Sequence, residues 1–234
     1  PEYSFNLITD ELAQHNLEII PIEILKNRSD TYQMALMQPS GNIIFSPEEV
    51  RNDTRNNAVE KFTNFLNKAY TTHLDLALTP EYSCPWEALQ ICLDDNIFPH
   101  EESIWVLGCE SISIEVLQNF IHVNPSVHFI HEPLIARAGR NFYSPVCYIF
   151  NAKDTNGETK KVVVVQFKTQ HMHDPEIELE VRNLIYGKKR YWICNDINSI
   201  HLSALICAEA LDRDPILLEN NKSYLIAHLQ LNPK

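Results

Sequence analysis

The sequence contains no apolar run of transmembrane length, and no stretch reads as a secretory leader. Its six cysteines (Cys84, Cys92, Cys109, Cys147, Cys194, Cys207) include no C-x-x-C pair, so zinc ribbons and thioredoxin-type redox motifs have no support. Neither a G-x-S-x-G elbow nor a G-x-x-x-x-G-K-[ST] or G-x-G-x-x-G loop occurs, so the common serine-nucleophile and phosphate-cradling devices are missing. Positive charge is scarce. Lys and Arg number 19 against 31 Asp and Glu, a formal charge of −12, which argues against direct nucleic-acid binding. There is no internal repeat and no low-complexity tract. The thiols are dispersed through apolar runs, and the expectation is reduced cysteine in a cytoplasm.

What remains is a globular composition of 234 residues, 44% hydrophobic and 21% charged, enough for one large domain with a substantial core. Residues 1–30 read as an N-terminal extension or linker, in which Pro21 keeps the LEIIPIEIL stretch out of any central strand. The non-Met start suggests a piece of a larger chain. From Tyr32 onward, strands and helices alternate. YQMALMQ reads as a strand, and Ser46, Pro47 and Glu49 read as a capping box opening a helix. Ala58, Phe62, Phe65 and Ala69, with Val59 and Leu66, continue that helix with one apolar face. A strand over Leu74–Thr79 ends at Pro80-Glu81. Helices follow at 86–93 and 114–123, and strands at 104–108, 127–130 and 146–150. The DTNGE turn then makes a hairpin with KVVVVQF, and three more strands lie at 191–194, 202–206 and 224–229. The fold class is α/β with mixed sheets.

Three segments carry chemistry. Glu81 follows a strand and a proline in LALTPEYS, Lys168 ends the β-forming run VVVVQF, and Cys207 ends the apolar run LSALI. Three strand ends can converge on one pocket. There the carboxylate can take the thiol proton, the thiolate can attack, and the ammonium can stabilise an oxyanion. Taken alone, each residue also has a plain structural reading: a helix cap for Glu81, a surface lysine for Lys168, a packed core thiol for Cys207. Cys109-Glu110 also follows an apolar strand, but it falls between the Glu and Lys segments and reads as core. His171 and His173 lack a third ligand at a defined spacing and read as a solvated loop, so no motif calls for a metal or other cofactor.

The order Glu81, Lys168, Cys207, each at the end of an apolar strand, resembles the nitrilase superfamily of carbon–nitrogen hydrolases. The resemblance covers roughly Tyr32 to Lys234 and includes the PEYS segment, Cys-x-Glu after ALI, and the closing LIAHLQLNP. It implies a domain over 31–234 with an αββα sandwich fold, truncated in its C-terminal part. It implies Glu81 as general base, Lys168 as oxyanion-stabilising lysine and Cys207 as nucleophile. Glu176, with Glu178 and Glu180 as competitors, would be a second glutamate orienting the pocket, and Ala208 would line it. The expected substrate is a small-molecule amide or nitrile, and the expected partners are a second copy or other domains of a larger chain. No membrane partner is expected. The alternative is a nitrilase-like module with an assembly or sensing role, such as those fused to reverse transcriptases in antiviral systems. Three features depart from the family pattern: Ala208 where a larger residue is common, a long segment between Glu81 and Lys168, and an early end after Cys207. With Lys168 favouring the thiolate and Glu81 opposing it, the expectation is a thiol more reactive than the other five.

Overall fold

A computed structural model describes residues 3–27, 31–171, 178–211 and 222–230. In chain order the elements begin with β1 (Ser4–Leu7), α1 (Ile8–Gln14), β2 (Leu17–Ile19), a 3-10 turn (Glu23–Leu25) and β3 (Met34–Leu36). Next come β4 (Ile43–Phe45), β5 (Val50–Asn52), α2 (Arg55–Thr71), β6 (Leu76–Cys84), α3 (Trp86–Asp94), β7 (Ile104–Cys109), α4 (Ile114–Val123) and β8 (Val127–His131). The chain continues through β9 (Pro145–Asp154), β10 (Thr159–Phe167), α5 (Glu178–Asn183), β11 (Lys189–Trp192), β12 (His201–Ile206), a second 3-10 turn (Cys207–Leu211) and β13 (Tyr224–Leu229). The class is mixed α/β, as the alternation of patterns predicts.

The largest sheet has seven strands in the order β3-β6-β7-β9-β10-β8, with β2 added beside β9. The β3-β6-β7 and β10-β8 neighbours are parallel; β7-β9, β9-β10 and β2-β9 are antiparallel. In β10, between β9 and β8, Val162 to Val165 are fully buried, which is what a strand covered on both faces requires of β-branched residues. The hairpin into β10 turns at Asp154, whose Oδ1 accepts from the Asn156 and Glu158 amides at 2.8 and 3.0 Å, with Gly157 at φ +79°. Two parallel pairs, β1-β11 and β12-β13, lie apart from this sheet and meet through a bridge between Ile193 and Leu202.

Two cores separate three layers. Phe62, Leu66 and Ala69 of α2, Leu89 and Cys92 of α3 and Leu117 and Phe120 of α4 pack on Trp105, Leu107, Ile149, Val163 and Val165 of the large sheet. On its other face, Val146, Tyr148, Phe150, Val162 and Val164 meet Tyr191, Ile193, Leu202, Ala204, Ile206 and Leu229. That contact is sheet on sheet, so the layers run helix, sheet, sheet. Among the described residues, α1 is the one α-helix whose buried side chains join the inter-sheet core. Among the described residues, too, no helix is long and apolar enough to cross a membrane.

The structure departs from the sequence reading in three places. Residues 3–27, expected as an extension or linker, are built into the body: β1 pairs with β11, β2 pairs with β9, and Ile8, Leu12, Ile22 and Leu25 are fully buried. The segment stops being a strand at Ile19, ahead of Pro21, and Asn195 clasps Ile22 by accepting from its amide at 2.7 Å and donating to its carbonyl at 2.9 Å. Ser46 caps a turn between β4 and β5 instead of a helix. Its Oγ accepts from the Glu48 and Glu49 amides, and α2 begins nine residues later at Arg55. Finally, β6 continues past Thr79 to Cys84. Because α1 closes the inter-sheet core, Leu12→Ala is expected to cost about 2–5 kcal/mol, as for other buried leucines. Urea unfolding of the two proteins measures it; a loss below about 1 kcal/mol, the range of surface substitutions, would show that the segment is peripheral.

Candidate functional site

The site is assembled from backbone irregularities at strand ends. β6 runs parallel to β7 as far as Thr79, then its register slips, and pairing resumes at Cys84 opposite Cys109. Glu81 lies in that bulge, beside Tyr82 at φ +53°. A bulge of this kind re-aims a side chain that a regular strand would place elsewhere. Gly108 allows the approach, because a Cβ there would lie 2.1 Å from the Pro80 carbonyl oxygen and 2.8 Å from Glu81 Cα. Lys168 follows directly on β10, its amide donating to the Ser144 carbonyl at 2.9 Å. Cys207 follows directly on β12 at φ +49°, a left-handed conformation uncommon for a residue with a side chain. The Cys207 carbonyl accepts from His228 Nε2 at 3.0 Å.

A buried polar stitch holds the two sheets at this end. Tyr148 Oη donates to Gln166 Oε1 at 3.1 Å and accepts from the Ala204 amide at 2.7 Å. Gln166 Nε2 donates to the Ala204 carbonyl at 3.0 Å, and its Oε1 also accepts from the Tyr191 amide at 3.0 Å. Gln166 and Tyr148 belong to the large sheet; Ala204 and Tyr191 belong to the other strands. Neither side chain stood out in the sequence reading, although a Gln closing a run of valines and a Tyr amid apolar residues were visible signals.

At the centre, the Lys168 ammonium is 1% exposed and donates to Glu81 Oε1 at 2.8 Å and to Glu180 Oε1 and Oε2 at 2.7 and 2.9 Å. Glu180 Oε1 accepts from Tyr82 Oη at 2.5 Å as well. Among the described residues, Glu180 on α5 is the competing glutamate tied to Lys168. Glu176 and the side chain of Glu178 lie outside the described residues. Ala208 is buried, and its carbonyl accepts from Gln170 Nε2. Two surface clefts of about 400 and 590 Å³ lie away from these groups, one beside Asn195 and the other along Val59 and Ile91 between α2 and α3.

Electrostatics follow from burial and from the two-to-one ratio of acids to ammonium. Burial pushes the Glu81 carboxyl up to about 7; Lys168 pulls it back, and the charge of Glu180 pushes it up again. Burial alone would lower the Lys168 ammonium, but Glu81 and Glu180 outweigh it and hold it above its usual value. Burial raises the Cys207 thiol to about 11, Glu81 adds to the rise, and Lys168 only partly offsets it. The opposition expected between Lys168 and Glu81 is thus outweighed on the side of the thiol, and the resting sulfur holds its proton. Cys207 is still the least buried cysteine, at 8% exposure against 0% for the other five.

Cys109, Glu110 and His171 have contacts of their own. Cys109 Sγ sits 3.7 Å from Cys147 Sγ in the helix-side core, and Glu110 accepts from the Asn52 amide and Nδ2 at 2.8 and 2.6 Å. His171 Nδ1 pairs with Tyr186 Oη at 2.8 Å, and His173 lies outside the described residues. Among the described residues no group of three or more His, Cys, Asp or Glu side chains is arranged to hold a metal. The chain matches no protein-family model, no curated protein and no solved structure.

The raised Glu81 carboxyl has a consequence for stability. An unfolded glutamate titrates near 4.3, and the folded one near 7, so the folded state holds the extra proton between those values. Stability from this group is present below the lower value and is lost as pH rises through the upper one. Gln at this position imitates the protonated acid at every pH. Whatever its offset from the native protein, the stability of Glu81→Gln relative to native is therefore expected to rise by about 2–4 kcal/mol from pH 5 to pH 8. Urea denaturation at both pH values tests this; a difference independent of pH would place the Glu81 carboxyl in the ordinary range.

Proposed function

We propose that the protein is a thiol-dependent carbon–nitrogen hydrolase of nitrilase-like architecture, acting on an amide or nitrile of a small molecule. The observation that carries the reading is a carboxyl poised at about 7 and a buried ammonium, both acting electrostatically on a cysteine held in a left-handed turn. A base tuned close to neutrality is what general-base catalysis by a carboxylate needs. The helix–sheet–sheet layering and the sheet-on-sheet core are compatible with part of an αββα sandwich.

For an amide substrate, Glu81 takes the Cys207 thiol proton as Sγ bonds to the carbonyl carbon. The carbonyl π-electrons move to oxygen, and the Lys168 ammonium stabilises the resulting anion. The tetrahedral species collapses, the carbon–nitrogen bond breaks, and Glu81 returns its proton to the departing amine or ammonia. A water molecule then gives a proton to Glu81 and bonds to the thioester carbon. Collapse expels the Cys207 sulfur, which recovers the proton and leaves a carboxylic acid. Glu180 never exchanges a proton in this scheme. It shares Lys168, which keeps that ammonium charged and leaves Glu81 less firmly paired and more basic.

Because the thiol rests protonated, rate should follow the ionised fraction of Glu81 and rise with pH through about 7. Cys207→Ala is expected to abolish turnover. Glu81→Gln should lower it by about 10²–10⁴, the usual contribution of a general base, and Lys168→Met by about 10²–10³, as for loss of an oxyanion donor. Cys109→Ala should leave it nearly unchanged. Ammonia release from a panel of small amides and nitriles measures all four; release that survives Cys207→Ala would overturn the reading.

A further inference from the structure

Glu209 is buried two residues beyond Cys207, and the proposed chemistry gives it no step. Both of its oxygens hold backbone. Oε1 accepts from the Thr169 amide at 2.6 Å and from Thr169 Oγ1 at 2.7 Å. Oε2 accepts from the Ile206 amide at 2.8 Å. Thr169 immediately follows Lys168, and Ile206 immediately precedes Cys207. One carboxylate thus spans the ends of β10 and β12, which lie in different sheets. Behind it stands Arg190 of β11, fully buried, with Nη2 3.6 Å from Glu209 Oε1. Arg190 Nε and Nη2 donate to Thr169 Oγ1 at 3.2 and 2.7 Å, and its guanidinium stacks 3.8 Å from the centre of the Tyr3 ring.

We infer that Glu209 is a positioning residue that locks the Cys207 turn to the Lys168 strand end, so that the nucleophile and the ammonium keep one relative position. The catalytic consequence rests on the hydrolase reading proposed above; the lock itself does not. A carboxylate is required because two backbone N–H groups on two different strands each need an acceptor, and an amide would turn an NH₂ toward one of them. The Thr169 hydroxyl completes the lock by donating to Glu209 while accepting from Arg190. Arg190 supplies the counter-charge that lets a carboxylate persist in this interior. The turn it restrains carries backbone strain at Cys207, and a strained residue keeps its conformation only where its surroundings over-determine it.

The charge of Glu209 also reaches Glu81. Lys168 at the end of β10, Glu180 on α5 and Glu209 in the second 3-10 turn carry the charges that act on that carboxyl, Ser144 Oγ donates to its Oε1 at 3.5 Å, and the titratable Cys207 and Tyr82 interact with it; Glu209 raises it. Removing the charge should move the titration of Glu81 downward, which a purely space-filling role would not do.

The test uses the full chain and three readouts: kcat and KM on a small amide, the rate of iodoacetamide labelling at Cys207, and the titration of the Glu81 carboxyl by ¹³C NMR of glutamate-labelled protein. Glu209→Gln and Thr169→Val are expected to lower kcat by up to about 100-fold, the scale of a 1 Å misplacement, with KM nearly unchanged. Thr169→Ser keeps the hydroxyl and should restore activity. The Glu81 titration midpoint, near 7 in the native protein, should fall in Glu209→Gln and stay in Thr169→Ser. Activity lost only in proportion to the unfolded fraction, with the midpoint unmoved, would overturn the inference. Should Glu209→Gln fail to fold, the Thr169 pair decides: equal labelling and equal turnover in the Val and Ser proteins would refute the lock. If the native protein releases no ammonia from any substrate, the hydrolase reading falls, and the Glu81 titration midpoints still decide the role of Glu209.

Discussion

A buried ammonium shared by two carboxylates is the constraint on which the candidate site depends. Taking any one of these ions out of water costs several kcal/mol, and breaking such a group by removing one partner costs about 3–5 kcal/mol. Lys168 meets that cost with hydrogen bonds to Glu81 and Glu180 at 2.7 to 2.9 Å. Two acids against one ammonium leave an excess negative charge in a dry interior. The excess is relieved when one acid takes a proton near neutrality, and burial and the neighbouring charges select Glu81. A dry interior and a base near pH 7 are thus one property, not two.

The fold provides this cluster by departing from regularity at a few places. Glu81 comes from a register slip in β6 that Gly108 makes room for, and Cys207 from a left-handed residue at the end of β12. Lys168 leaves β10, whose four consecutive valines are fully buried and fix its backbone. Sheet-on-sheet packing is apolar and tolerant of sliding, so the polar stitch of Tyr148 and Gln166 to Ala204 adds the directional restraint that packing lacks. The N-terminal strand and helix close the same core from the edge, and Tyr3 covers the Arg190 guanidinium.

Much of this was legible in the sequence where a local pattern determines structure. The bounds of α4 are those its apolar spacing predicts, 114–123, and β10 and β12 end where Lys168 and Cys207 begin. Glu81 was legible as a chemical residue but not as part of a strand, because PEYSC has no alternation and the bulge depends on Gly108 in another strand. Glu180 could not be separated from its neighbours, since spacing alone does not set which residue of α5 faces Lys168. Ser46 showed every local sign of a helix cap, yet β4 and β5 pair around it, and the cap serves a turn. Residues 3–27 read as peripheral because their partners, β9, β11 and Asn195, lie more than a hundred residues away in sequence.

The central claim is that burial, together with the sharing of Lys168 with Glu180, leaves Glu81 titrating near neutrality. The most direct measurement is the titration of the Glu81 carboxyl itself, by ¹³C NMR of glutamate-labelled protein with the resonance assigned by its absence in Glu81→Gln. The account predicts a midpoint near 7 in the native protein, and a lower one in Glu180→Gln, where Lys168 is left to Glu81 alone. A native midpoint near 4, the ordinary range for a glutamate, would contradict it.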